Sequence, residues 1–222
     1  AAREGFPLVV KPNGLSHGRL VRRVKSEAEL VEALERVWEV DRIALVQDYI
    51  DGRELRLDLL DGQPLVCYER RPLRLLGDGT STEAELLAAL DPRFLDPAAR
   101  LRAELDGLRP NAVLPPGETR ELEQGIYNLN RSATAELLPE PPERWRRWAA
   151  EAAARLGLRL AGIDLRIEGE GPLFDLDPAD AVVLEVNATP LLTQLAHMGH
   201  QELAIDAQVR ILQAAFASRT SD

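Results

Sequence analysis

The 222-residue chain has one cysteine, Cys67, so no intrachain disulfide can form. It has no apolar run of the length a membrane-spanning helix needs. Lysine is nearly absent: of 27 basic residues, two are lysine, Lys11 and Lys25, and the other 25 are arginine. Basic residues are also outnumbered, with 37 acidic groups and a formal charge of −10. No basic stretch is long enough to track a phosphate backbone, which argues against a nucleic-acid partner. Nor is the composition that of a disordered, collagenous or disulfide-stapled chain, since 45% of the residues are hydrophobic. The expectation is a cytoplasmic protein with no membrane contact, whose partner is a small molecule or another protein. The chain opens without Met or a signal peptide, and so reads as part of a longer protein.

Apolar runs bounded by turn residues alternate with helical patterns, which argues for α/β or α+β. Residues 6–10 read as a buried strand and 20–24 as its hairpin partner, with a glycine-bearing turn from Pro12 to Gly18. Ser26 and Glu29 form a capping box ahead of Leu30, Leu34 and Val37 at helical spacing, and a strand over 43–47 follows. Leu55, Leu57 and Leu59 alternate along a strand over 53–60, and Asp61-Gly62 turns it into a second strand over 64–70. A helix is expected over 82–90. The Pro- and Arg-rich stretch 91–121 shows little beyond a short helix near 98–105. A helix over 141–156 stops at Gly157, with Trp145, Trp148 and Ala152 on one face. Strands over 159–167 and 181–186 precede a closing helix whose apolar stripe is Ile205, Val209, Leu212 and Phe216.

Three constellations could carry chemistry. Lys11 ends a buried strand beside Asn13, Gly14, Ser16, His17 and Gly18, where glycines let backbone N–H groups approach an anion. The lysine precedes the glycines and a hairpin follows, so this is not a P-loop; an ordinary turn beside a surface lysine is the alternative. In the segment from Gln47 to Glu54 the chain leaves its sheet, so that unpaired backbone groups could read an adenine edge and a carboxylate could accept from ribose; a charged loop is the alternative. The third is Asp164 with Glu185 and Asn187. Residues i and i+2 of a strand share a face, and an adjacent antiparallel strand carrying Asp164 would complete an all-oxygen magnesium site. Polar residues paired to nearby arginines are the alternative there. The three histidines make no metal spacing with the lone cysteine.

In this order the three constellations resemble the ATP-grasp ligases, the superfamily of D-alanine:D-alanine ligase, glutathione synthetase, cyanophycin synthetase and ribosomal-protein glutamate ligases. Ser16-His17-Gly18-Arg19 is similar to the glycine loop of cyanophycin synthetases, and the segment from Gly77 to Leu86 to the one after their central hairpin. Asn128-Leu129-Asn130-Arg131 resembles the Asn-Leu-x-Arg of the glutamate ligases. Two departures stand out: Gln47 where many relatives have Glu, and Ala188-Thr189-Pro190-Leu191 in place of the small-residue and glycine pattern after the Asn.

The resemblance implies an α+β ATP-grasp fold, with a small α/β subdomain over 1–51 and a larger mixed antiparallel-sheet subdomain over 52–222 clasping ATP. It implies that Lys11, Asn13, Gly14, Ser16, His17 and Gly18 bind phosphates, that Gln47, Tyr49 and Ile50 line the adenine pocket, and that Glu54 holds the ribose. Asp164, Glu185 and Asn187 would ligate magnesium. Arg131 and Arg71 would be the catalytic cations, arginine being suited to carboxylate and phosphate by its planar fork. The implied activity is ATP-dependent ligation of a small-molecule carboxylate to an amine, on an amino acid or peptide, through an acyl phosphate. A preceding domain and a homo-oligomer are further implied partners. A non-catalytic ATP-binding module is the alternative from another class.

Overall fold

The computed structural model describes residues 5–15, 18–105, 107–122, 129 and 133–217. The chain forms two compact units, one of residues 1–50 and 72–134, the other of 51–71 and 135–222. Among the described residues no helix is long and apolar enough to cross a membrane.

In the first unit, strand β1 (Leu8–Pro12) lies between β2 (Arg22–Val24) and β3 (Ala44–Asp48), antiparallel to both. Leu8, Val10 and Val24 are buried with Ala33 and Val37 of α1 (Glu27–Trp38), so alternation sends Val9 and Lys11 to the opposite face. Ser26 caps α1 by accepting from the Glu29 N–H, but the Glu29 carboxylate reaches past Ser26 to the Lys25 N–H. Helix α2 (Glu83–Leu90) carries a full capping box between Thr82 and Glu85. The stretch that showed little pattern holds a 3₁₀ turn at Pro92–Leu95, then α3 (Pro97–Leu105) and β6 (Thr119–Leu122). Leu73, Leu75, Leu87, Phe94 and Leu114 form its core.

The second unit is built on β4 (Arg53–Leu60), flanked by β5 (Gln63–Leu76) and β8 (Leu160–Ile167), with β9 (Val182–Asn187) beyond β8. β5 is longer than expected; its distal part pairs with β6 in the first unit, and β7 (Ala133–Leu137) also pairs with it. Residues 72–134, which the sequence reading grouped with the second subdomain, therefore sit with the N-terminal residues. Leu60 pairs with Gln63, and Asp61 and Gly62 both take positive φ, the turn geometry that matches strand twist. Leu55, Leu57, Leu59, Ile163 and Leu165 pack against Trp145, Ala149 and Ala153 of α4 (Glu143–Arg155). Trp145 is a core anchor whose indole N–H donates to the Leu176 carbonyl.

After α5 (Thr193–His197), helix α6 (Gln201–Ala217) departs from its sequence pattern. Ile205, Val209, Leu212 and Phe216 are exposed, and the buried positions are Ala204 and Ala207. Periodicity marks an apolar stripe but does not say which face of the helix is covered.

Candidate functional site

On the three-stranded sheet, Val9 pairs with Arg23 on one side and Gln47 on the other, and Lys11 pairs with Leu45. Lys11 thus shares the face of Arg23 and Gln47, turned away from α1. The Arg23 guanidinium lies 3.8 Å from the centre of the Tyr49 ring. The Tyr49 N–H donates to the Pro7 carbonyl, and Ile50 follows it out of β3. Asn13 donates its N–H to Ile43, while the Gly14 N–H, expected to face an anion, donates to Asp41 Oδ2 at 2.6 Å. Those loop amides hold the Asp41 carboxyl below the usual carboxylate range, the Ile43 N–H most and the Gly14 N–H next. Gly18 sits at φ 66°, a conformation glycine adopts without strain. Ser16, His17 and Arg131 lie outside the described residues.

On the second unit the register does most of the work. Tyr68, Arg56, Asp164 and Glu185 are successive cross-strand partners on β5, β4, β8 and β9. One row on, Gly162 pairs with Asn187 and with Asp58, and on the other side Glu54 pairs with Arg70 and Arg166. Even-numbered residues of β4 therefore build a polar face directly behind the leucine face that packs on α4. Asp164 and Glu185 face each other across one antiparallel pair with Asn187 two residues along, the arrangement expected for the magnesium ligands.

That face is a buried charge network. Arg56 Nε donates to Asp58 Oδ1 at 2.6 Å and Arg56 Nη1 to Asp164 Oδ2 at 2.7 Å. Arg70 Nη1 donates to Glu54 Oε1 at 2.7 Å, and Arg166 Nη2 to Glu54 Oε2 at 3.2 Å. Arg166 Nε donates to the same Oε2 at 3.3 Å, so both oxygens of Glu54, expected at ribose, are held by arginines. Arg70 Nη2 stands 2.8 Å from Asp164 Oδ1, yet its angle makes no hydrogen bond, and that buried oxygen accepts none. Asn187 Nδ2 donates to the other oxygen, Oδ2, at 3.3 Å.

Burial pushes the Asp58 carboxyl up, and desolvation of Arg56 is outweighed by the charges of Asp58 and Asp164, which hold its guanidinium firmly protonated. A 2.6 Å hydrogen bond from a permanent cation favours the ionised carboxylate for Asp58. Burial also raises the Tyr68 hydroxyl to about 12. Among the described residues no three His, Cys, Asp or Glu side chains converge as a metal cluster. The donor set on offer is two carboxylates and a carboxamide. Hard oxygens, with one buried carboxylate oxygen lacking any hydrogen-bond donor, fit magnesium.

Arg71 falls elsewhere. It donates to Glu69, which also receives a two-pronged bond from Arg53, and it pairs with Glu136. Strand parity sets it with Leu55 and Glu69, opposite the face of Asp164, and Arg70 is the cation at that carboxylate. Arg56, Asp58 and Arg166 were missed in the sequence. The signal was present as the even positions 54, 56 and 58 between the alternating leucines.

Residues 1–75 match the D-ala D-ala ligase C-terminus family. Over 208 residues the chain is 32% identical to a cyanophycin synthetase from Nostoc sp., covering 84% of this chain and 22% of that protein. Over 203 residues it is 25% identical to the glutathione biosynthesis bifunctional protein GshAB of Streptococcus agalactiae serotype V, covering 84% of this chain and 27% of that one. The chain thus spans about a quarter of the length of these curated relatives. Among solved structures, a D-alanine–D-alanine ligase from Bacillus anthracis aligns with 95% of this chain and 56% of its own, at 20% identity and a TM-score of 0.49.

Proposed function

We propose that this chain, a relative of the ATP-grasp ligases, binds ATP with magnesium and joins a small-molecule carboxylate to an amine through an acyl phosphate. The observation that carries this reading is the pairing of Asp164 with Glu185, with Asn187 beside them and one Asp164 oxygen free of hydrogen bonds. Asp164, Glu185 and Asn187 would hold the magnesium. When bound, that ion would supply neutralisation of negative charge on the phosphates.

The remaining roles belong to the chain's own groups. Lys11, with Asn13, Gly14, Gly18 and the loop residues Ser16 and His17, binds phosphates. The Gly14 N–H must exchange Asp41 for a phosphate oxygen to take part. Gln47, Tyr49 and Ile50 line the adenine, and Glu54 accepts from ribose. On this reading residues 1–51 carry the phosphate and adenine contacts, and 52–222 carry Glu54, the metal ligands and the catalytic arginines. A substrate carboxylate oxygen attacks the γ-phosphorus, ADP leaves, and Arg70 with Arg131 offsets the charge that develops on the phosphoryl oxygens. The amine then attacks the acyl carbon, phosphate departs with the C–O electron pair, and the nitrogen loses its proton.

The test is transfer of label from an ¹⁸O-carboxylate into phosphate, in the full-length protein, across a panel of amino acids and short peptides. Labelled phosphate is expected. Calorimetry that finds ATP bound, with no phosphate released for any pair, would identify a non-catalytic nucleotide-binding module instead.

A further inference from the structure

Asp58 is 1% exposed and has no place among the metal, nucleotide or substrate contacts above. Burying a carboxylate is costly unless it is paired, and its partner is Arg56, two residues back on the same face of β4. Arg56 is also bonded to Asp164, so one guanidinium serves two carboxylates through two different nitrogens. The neighbouring strand leaves room for this arrangement. Opposite Asp58 stands Gly162, where a Cβ would fall 2.1 Å from Arg56 Nη2 and 2.7 Å from Asp58 Oδ1.

Two consequences follow from the sharing. Asp58 holds the Nε side of the fork and so fixes which nitrogen reaches Asp164 Oδ2, leaving Oδ1 out of the Arg56 bond. It also sets the charge. Arg56, Arg70 and Arg166 meet three carboxylates on this face, Glu54, Asp58 and Asp164. Without Asp58 the arginines would outnumber them, and Asp164 would be over-neutralised where a divalent cation is to bind.

We infer that Asp58 is a positioning residue for the cation site: by sharing Arg56 it orients Asp164 and preserves the negative charge with which Asp164 binds magnesium. This rests on the assignment of Asp164, Glu185 and Asn187 as ligands in the proposed function. Asp58 acts through Arg56 and touches neither ion nor substrate.

The probe is Mn²⁺, measured by the loss of its free electron-spin signal on titration into the full-length protein, with and without ATP. Asp58→Asn keeps the shape and an acceptor for Arg56 Nε while removing the charge, and is expected to weaken Mn²⁺ binding about tenfold. Removing both charges in Asp58→Asn with Arg56→Gln is expected to bring the affinity back to within about threefold of the parent, since the balance is restored. A purely structural Asp58 would lower thermal stability in both variants and leave Mn²⁺ affinity unchanged. Should Asp58→Asn fail to fold, Arg56→Gln alone is compared with the double variant, and the single variant is expected to bind Mn²⁺ more tightly. Equal affinity in whichever pair is compared overturns the inference. Asp164→Asn separates the two layers: its loss of Mn²⁺ binding beside an unchanged Asp58→Asn sinks the inference alone. Unchanged binding in Asp164→Asn withdraws the metal assignment and the inference together.

Discussion

Gly162 and Arg56 are fitted to one another: a methyl group on Gly162 would stand 2.1 Å from Arg56 Nη2 and 2.5 Å from its Cζ. The guanidinium occupies the space beside Gly162 that a side chain would fill, and from there it reaches both Asp58 and Asp164. Gly162→Ala must push the fork off at least one carboxylate. Overpacking together with a broken buried pair should destabilise the protein by about 2–4 kcal/mol. Urea unfolding measures this; a midpoint equal to the parent's would show that the fork moves aside freely.

Glu83, at the first turn of α2, has no exposed surface and is held by the Arg109 backbone N–H at 2.8 Å, by Arg109 Nε at 2.9 Å and by Arg120. Desolvation alone would raise this carboxyl, but the two arginines overcome it and its value falls below the ordinary one. A lowered folded-state value means that the stabilisation is complete above the unfolded carboxyl's value near 4.5 and disappears as pH falls through the lower, folded one. Glu83→Gln should cost about 3–5 kcal/mol at pH 7 by leaving two arginines without their partner. It should also flatten the acid limb of the stability curve. A deficit that stayed constant between pH 7 and pH 2 would contradict that linkage.

Cys67 lies in the core beneath α4, where burial pushes its thiol up to about 12. Thiolate is the reacting form, so at pH 8 the native protein should resist iodoacetamide while protein in denaturant reacts quickly. Mass spectrometry after timed quenching checks this. Rapid native labelling would mean that β5 opens readily.

Lys11 is one of two lysines in the chain and lies on the sheet face shared with Arg23 and Gln47. If it meets phosphate oxygens, Lys11→Met should weaken ATP binding by about 1.5–3 kcal/mol, ten- to a hundredfold and more, and leave adenosine binding unchanged. Calorimetry with both ligands decides. An equal loss for the two would trace the effect to damage in the hairpin.

Much of the architecture is written locally. The period of two in Leu55, Leu57 and Leu59, ended by Asp61-Gly62, specifies a hairpin because only alternation can bury one side of a strand and a turn with two positive φ angles joins it to the next. The helix at Glu143–Arg155 and its stop near Gly157 follow from spacing and from the ease with which glycine takes φ 68°. The pairing of Asp164 with Glu185, two residues before Asn187, was legible because oxygen-bearing residues interrupt apolar strands, and such groups are costly to bury without partners.

The partners of those groups were decided by the tertiary structure. Arg56 and Asp164 lie 108 residues apart, and they meet because β8 pairs with β4 in one register; a slip of one residue would send every side chain to the other face. The same parity chose Arg70 over its neighbour Arg71 for Asp164, a choice that two adjacent arginines cannot reveal in a sequence. On α6, tertiary contacts buried Ala204 and Ala207 and left Phe216 outside. A sequence states which residues alternate. Which strand lies beside which, and in what register, is settled by contacts between distant segments, and that pairing sets the charge of the site.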